Sequence, residues 1–294
     1  MANDLKPGGA DPAAAVRAYY EGNTKLFLSL GIGAKSLALR RAVWADGVAG
    51  LSEAVDFVNT LVAAEAASCR SRTVDGVLRV LDIGCGVGGS LVFLCRATDA
   101  ALHGVGVTIS PRQAEFARRQ ARLRGLSGRL SFRTADFTAV SDLREFHCAF
   151  AIESFVHFAA PAAFFAAAGR ALLPGGRLIV VDDFLSGRRY SPRERRLIEA
   201  FRHGWLLASL CPVSRAVGVA GECGLRLVAD RDLSPRLSQL PVNASVLSLL
   251  SRTVRALPVP WSYWRSTAGS LALAACQKAQ LVEYHVLVFE KREA

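Results

Sequence analysis

The chain has 294 residues, 51% hydrophobic and 21% charged, which supplies enough apolar surface for a core and excludes wholesale disorder. Its 36 lysines and arginines outnumber 25 aspartates and glutamates, for a formal net charge of +11. The basic residues, among them Arg118-Arg119, Arg193 and Arg195-Arg196, are scattered rather than interleaved with aromatics. A solvated basic surface is therefore expected and a nucleic-acid partner is not, while attraction of an anionic small substrate stays open.

Residues 1–14 carry Lys-Pro-Gly-Gly and Asp-Pro and read as a flexible lead-in. No basic region followed by an apolar run opens the chain, and no stretch of about 18 residues lacks polar breaks, so neither export nor a membrane span is expected. Seven cysteines without a C-x-x-C pair or histidines at ligand spacing fit reduced thiols in a cytoplasm, with no metal site.

From residue 15 to about 70 the apolar spacing is helical, with turn signals at Gly31-Ile32-Gly33 and Asp46-Gly47, and predicts an N-terminal cap of three or so helices. From Leu78 onward short β-rich runs alternate with helical stretches: Leu78 to Ile83, Ala101 to Val107, Leu130 to Arg133, Ala149 to Ile152 and Leu178 to Val181. Leu173-Pro174-Gly175-Gly176 is expected to end a helix and turn the chain into the fifth strand. Strand-like sequence returns at Leu225 to Ala229 and Tyr284 to Glu290. The pattern is that of an α/β fold, a Rossmann-like, doubly wound, mostly parallel seven-stranded sheet over residues 71–294, with helical lid insertions at about 186–220 and 236–280. A homo-oligomer is compatible with this reading.

The strongest local signal is Val80-Leu81-Asp82-Ile83-Gly84-Cys85-Gly86-Val87-Gly88-Gly89-Ser90, a buried strand running into a glycine loop and a helix. Glycines let the backbone approach a nucleotide closely, and the spacing Gly84, Gly86, Gly89 also permits a dinucleotide and an NAD-dependent oxidoreductase. Asp82 weighs against that alternative, because a carboxylate suits a cationic amino group and sits poorly beside a pyrophosphate. The motif resembles that of class I S-adenosylmethionine-dependent methyltransferases, an acid followed by G-x-G-x-G, over about residues 78 to 184. The resemblance implies S-adenosylmethionine as cofactor, with Asp82, Gly84, Gly86 and Gly88 around it.

Gly106-Val107-Thr108-Ile109-Ser110-Pro111-Arg112-Gln113 lacks the ribose-binding acid that most class I members carry after the second strand. It resembles the V-T-x-S-x-x-Q segment of a subgroup containing cyclopropane-fatty-acid synthases, tocopherol and sarcosine-type methyltransferases, and sterol and prenyl-diphosphate C-methyltransferases. By that resemblance Thr108 and Gln113 contact the ribose, while Ser110 with Pro111 also has the chemistry of a helix cap. Asp136 and Phe137 fall in the expected adenine-binding loop. Tyr19 and Tyr20 fall in the subgroup's tyrosine-containing opening, with Tyr20 the choice for the methionine carboxylate.

Glu153 and His157, after the fourth strand, match the subgroup's E-x-x-x-H pattern. Four residues apart they suit one face of a helical turn, with Glu153 in an apolar pocket, and are the candidate catalytic bases. Phe201, Trp205, Trp261 and Trp264 are expected to line the lid around a small apolar acceptor. The expected reaction is methyl transfer to a hydrophobic metabolite, an isoprenoid-type alkene carbon being one acceptor and an aromatic or amine heteroatom the alternative. A binding protein without catalysis and an RNA methyltransferase are further alternatives.

Overall fold

The computed structural model describes residues 16–17, 41–98, 101–238, 242–256 and 262–293, with the backbone alone for 256 and 262–265. All seven expected strands are present: β1 (Val77–Ile83), β2 (Ala101–Thr108), β3 (Leu130–Thr134), β4 (Phe146–Ile152), β5 (Leu172–Leu185), β6 (Leu225–Asp232) and β7 (Val282–Lys291). They form one sheet in the order β3-β2-β1-β4-β5-β7-β6, parallel except that β7 runs antiparallel to both neighbours.

The central strands are nearly continuous apolar runs because both faces of the sheet are covered. On one face Leu81, Ile83, Ala149, Ala151, Leu178 and Val180 pack with α4 (Pro161–Ala171), α5 (Pro192–Trp205) and α6 (Val213–Glu222), around Phe164, Phe165 and Phe201. On the other, Val80, Cys148, Phe150, Ile179 and Val181 pack against α1 (Leu51–Ser68), α2 (Gly89–Ala97) and α3 (Pro111–Leu123) through Val58, Val62, Leu91, Leu94 and Ala117. Strict alternation along β5, with Leu178 and Val180 on one side and Ile179 and Val181 on the other, follows from the two-residue period of a strand.

α4 ends at Ala171 as expected, but Leu172 already pairs with Phe146, and the next paired residue is Arg177, opposite Cys148. The Leu-Pro-Gly-Gly turn is thus a bulge inside the strand, made possible by Gly175 at φ +69°. Two further helices, α7 (Ala244–Ala256) and α8 (Ser262–Lys278), occupy the segment expected to be mostly helical, joined by a hydrogen bond from Ser251 Oγ to the Ala268 carbonyl. Of the expected N-terminal helices, α1 is described. The Gly31–Gly33 turn lies outside the described residues, and Gly47 makes its turn at φ +83°. No helix among the described residues is long and apolar enough to cross a membrane.

Candidate active site

Strand order reverses between β1 and β4, and the carboxyl ends of these strands open a crevice there, the place where doubly wound sheets hold ligands. A cavity of about 500 Å³ fills it, lined from the glycine loop at one end to Glu153, Asp183 and Trp205 at the other.

The loop after β1 is bent by three glycines in the left-handed region, Gly84 (φ +81°), Gly86 (φ +51°) and Gly88 (φ +82°). Their surroundings differ. A Cβ on Gly84 would sit 2.4 Å from that of Ser154, whose hydroxyl donates to the Ile83 carbonyl at 2.6 Å. A Cβ on Gly88 would strike Phe132, so this residue packs the loop onto the sheet and lies behind the cavity wall. A Cβ on Gly86 would meet nothing within 4 Å, because Gly86 faces the open cavity. The bare backbone there is a cradle for a flat or extended ligand, with Gly89 and Ser90 at the start of α2 beside it. Asp82, 3% exposed at the end of β1, also lines the cavity.

Thr108 and Gln113 are buried at the cavity edge and bonded to one another, the Thr108 hydroxyl donating to Gln113 Oε1 at 2.8 Å. Ser110 caps α3 by accepting from the Gln113 amide at 3.3 Å, with Pro111 at the first helical position. The cap and the polar pair coexist, since the cap uses the Gln113 backbone and the pair its side chain. Asp136 Oδ1 accepts from the Thr138 amide and hydroxyl at 2.9 and 2.8 Å, which fixes the loop after β3. Phe137 is 2% exposed and packs edge-on against Phe158 and Phe164, its remaining surface turned to the cavity.

At the far end the expected helical turn is absent. The Glu153 amide still pairs with the Val181 carbonyl at 2.8 Å, so strand pairing runs through this residue. The chain then turns at φ +51° into a short 3-10 helix, Phe155–His157. Glu153 and His157 therefore share the cavity wall without sharing a helix face. Nor does Glu153 sit in an apolar pocket: its Oε1 accepts from the Tyr284 hydroxyl at 2.9 Å and from the Arg41 amide at 3.1 Å. Burial pushes the His157 imidazole down to about 4, against the partial support of the Leu206 carbonyl 3.4 Å from Nδ1, so the ring is neutral near pH 7.

Arg41, Asp182, Asp183 and Tyr284 complete this end and were not singled out by the sequence. The Arg41 guanidinium binds both Asp183 oxygens, Nη1 at 2.8 Å from Oδ1, and its Cζ lies 4.4 Å over the Tyr284 ring. Burial opposes its charge, but Asp183 and Glu153 more than offset this and raise its pKa. Burial raises Asp182 well above the carboxylate range, with the neighbouring Asp183 adding to the effect. Asp182 accepts from the Val156 amide at 3.1 Å and the Asp183 amide at 2.9 Å. The signal that was open to reading is the acidic pair ending β5, Asp182-Asp183, at the same edge of the sheet as Glu153.

Of the expected lid residues, Trp205 lines the cavity, with its indole N–H donating to the Ser266 carbonyl at 3.2 Å. Phe201 does not: it is fully buried in the core beneath α5, its ring 5.9 Å from that of Trp205. Tyr20 and Trp261 lie outside the described residues, as does the side chain of Trp264. Among the described residues no group of histidine, cysteine or acidic side chains is arranged to hold a metal.

Residues 80–176 match the methyltransferase domain family model. The chain is similar to the sterol 24-C-methyltransferase erg6 of Aspergillus fumigatus, 29% identical over 191 residues that make up 64% of this chain and 49% of that protein. It is similar also to the methyltransferase GfsG of Streptomyces halstedii, 38% identical over 170 residues, 58% of this chain and 59% of that one. The match thus spans about half the length of these relatives. Among solved structures, the mycolic acid cyclopropane synthase CmaA1 superposes with a TM-score of 0.74 at 18% identity, over 98% of this chain and 100% of that one. The [4+2]-cyclase SpnF does so with 0.69 at 24%, over 97% and 98%. The chain has the fold of the class I S-adenosylmethionine-dependent methyltransferases, and residues 80–176 within it match the methyltransferase domain model.

Proposed function

We propose, from the premise that residues 80–176 are a methyltransferase domain, that this chain transfers the methyl group of S-adenosylmethionine to a small apolar metabolite. The carrying observation is one continuous cavity that joins the Gly86 cradle to the Glu153–Arg41–Asp183 cluster. Asp82, Gly84, Gly86, Thr108, Gln113, Asp136 and Phe137 hold the cofactor in this reading, with Tyr20 on its methionine carboxylate. The bound cofactor supplies an electrophilic methyl on a sulfonium. The segments about 186–220 and 236–280 act as the lid, and Trp205 on α5 and Ser266 and Ser270 on α8 wall the acceptor. Their part is to align the accepting atom and exclude water.

Among acceptors, an alkene carbon of isoprenoid type is favoured over a phenol. A base whose conjugate acid titrates at about 4, as His157 does, takes a proton readily from a carbon next to a cationic centre. It is a poor base for a phenol, which titrates near ~10. Glu153, held by Tyr284 and the Arg41 amide, is the second proton acceptor on the same wall.

Calorimetric titration with S-adenosylmethionine, S-adenosylhomocysteine and NAD, repeated on Asp82→Ala, tests the cofactor assignment. Micromolar binding of both sulfur nucleotides, weakened at least tenfold in the variant, is expected. Binding of NAD alone restores the oxidoreductase. Transfer of a labelled methyl group into solvent-extractable terpenoid alkenes, and not into phenols, is the expected outcome of an acceptor screen.

A further inference from the structure

Trp205 closes α5, and where its ring stands on the cavity wall depends on a glycine of α8. The indole N–H donates to the Ser266 carbonyl at 3.2 Å, and the Ser270 hydroxyl donates to the same carbonyl at 2.9 Å. Between these two serines, Gly269 faces the ring. A Cβ on Gly269 would lie 2.3 Å from Trp205 Cδ1, 2.9 Å from Nε1 and 3.0 Å from the carbonyl carbon of Gly204. Carbon atoms in contact sit about 3.5–4.0 Å apart, so the ring fills the space that any side chain at 269 would need. Gly269 lies within α8 and not at a turn, and its φ is not in the left-handed region. A glycine weakens a helix interior relative to alanine, yet here the close approach of the ring calls for one.

We propose that Gly269 is a specificity-determining residue: by letting the Trp205 ring lie back on α8 it holds the acceptor end of the cavity at full width, and so admits larger apolar acceptors that a side chain at 269 would shut out. This rests on the methyltransferase reading above. Gly269 does not itself line the cavity, so it acts through Trp205 as a positioning residue. Clearing a Cβ requires the ring to withdraw by more than about 1 Å. Phe201, fully buried and edge-on to Trp205 at 5.9 Å, blocks withdrawal into the core beneath α5. The open space bordering the ring is the cavity, whose wall Trp205 shares with Val156, His157, Ser266 and Ser270. Separation of the two helices is opposed from both sides. Just after Trp205 the amides of Ala208 and Ser209 both donate to the Val156 carbonyl, at 2.8 and 2.9 Å, and pin the end of α5. On the other side Ser251 of α7 donates to the carbonyl of Ala268, the residue before Gly269, at 2.8 Å. The backbones are thus held, and the ring is the part that yields.

The test is Gly269→Ala in the full chain, alone and combined with Trp205→Ala. With S-adenosylhomocysteine bound, calorimetry compares prenol, geraniol and farnesol, alcohols that lengthen by one isoprene unit at each step. In Gly269→Ala, farnesol affinity is expected to fall at least tenfold, while prenol and S-adenosylhomocysteine bind as they do to the parent. The double variant is expected to recover farnesol binding to within threefold of the parent. Unchanged farnesol binding in Gly269→Ala, an equal loss for all three alcohols, or a loss that persists in the double variant overturns the inference. A Gly269→Ala chain that fails to fold overturns it too, since the ring then has no room to withdraw. Where no alcohol binds the parent, the crystal structure of Gly269→Ala decides: a Trp205 ring displaced into the cavity at unchanged α5–α8 spacing is expected, and helices spread apart around an unmoved ring overturn the inference. Failure of S-adenosylhomocysteine to bind the parent overturns instead the methyltransferase reading, and the same crystal structure still decides the role of Gly269.

Discussion

The Tyr284 hydroxyl, on the antiparallel strand β7, donates to Oε1 of Glu153 at the end of the parallel strand β4, 2.9 Å away and 131 residues earlier in the chain. The two strands are not neighbours, since β5 lies between them. The bond therefore reaches across a strand, and it fixes the direction in which the Glu153 carboxyl faces the cavity. Burial and the adjacent carboxylate raise the Tyr284 phenol well above its usual value, so it stays a donor throughout the accessible pH range.

Tyr284→Phe removes this donor and leaves the carboxyl with one partner fewer. A stability loss of about 2 kcal/mol is expected, the scale of a hydrogen bond to a charged group. Methyl transfer should slow while S-adenosylhomocysteine affinity stays constant, as thermal unfolding and nucleotide titration on the same preparation would reveal. Loss of nucleotide affinity would instead place Tyr284 in the cofactor pocket.

Arg41→Ala leaves Asp183, 2% exposed, without its counter-ion. Breaking one side of a buried pair costs about 3–5 kcal/mol. Urea unfolding should show this loss, and Arg41→Met combined with Asp183→Asn should recover more than half of it. A single variant with near-wild-type stability would contradict the packing described for this cluster.

The loop glycines separate structure from binding. Gly84→Ala drives a Cβ into Ser154 at φ +81° and should cost about 2 kcal/mol or more of stability. Gly86→Ala points its Cβ into the open cavity, so stability falls by about 1 kcal/mol, the left-handed penalty alone. Nucleotide affinity, however, is expected to fall at least tenfold. Melting temperatures read beside binding isotherms distinguish the two.

His157 makes stability depend on pH. Its folded-state pKa is depressed from 6.5 to about 4, so the unfolded chain binds the proton first as pH falls. The stabilisation is complete above pH 6.5 and is lost progressively down to pH 4. It amounts to about 2 kcal/mol once partial exposure to the cavity is allowed for. His157→Asn should flatten this part of the curve, so the gap between variant and parent closes as pH drops. A gap that stays constant from pH 7 to 4 would mean that the imidazole is not neutral in the fold.

Phe201 and Trp205, one helical turn apart on α5, should respond differently. Phe201→Ala empties a core position and costs about 3–5 kcal/mol. Trp205→Ala should spare most of the stability and alter which acceptors are methylated, since this ring walls the cavity. A screen of acceptors on both variants, with unfolding midpoints, checks the assignment.

What the sequence determined by itself was the sheet and its nucleotide end. Short apolar, β-rich runs bounded by turn signals located six of the strands within about three residues and the middle of β5, whose ends at Leu172 and Leu185 lie well beyond the expected Leu178 to Val181, because a buried strand is written in consecutive positions. The glycine loop and the Ser110 cap are local in the same sense. The tertiary structure alone decided the other end of the cavity. The spacing of Glu153 and His157 suits a helical turn, but pairing of Glu153 with Val181 on β5 holds the chain extended and puts the bend at Glu153. Phe201 and Trp205 carry equal aromatic signals, and only the packing of α5 on the sheet turned one to the core and the other to the cavity. The partnerships of Arg41 with Asp183 and of Tyr284 with Glu153 join residues 142 and 131 positions apart. No periodicity links such positions. They meet because the strand order brings the ends of β4, β5 and β7 to one edge of the sheet, and burial there makes each charge depend on the partner that the fold supplies.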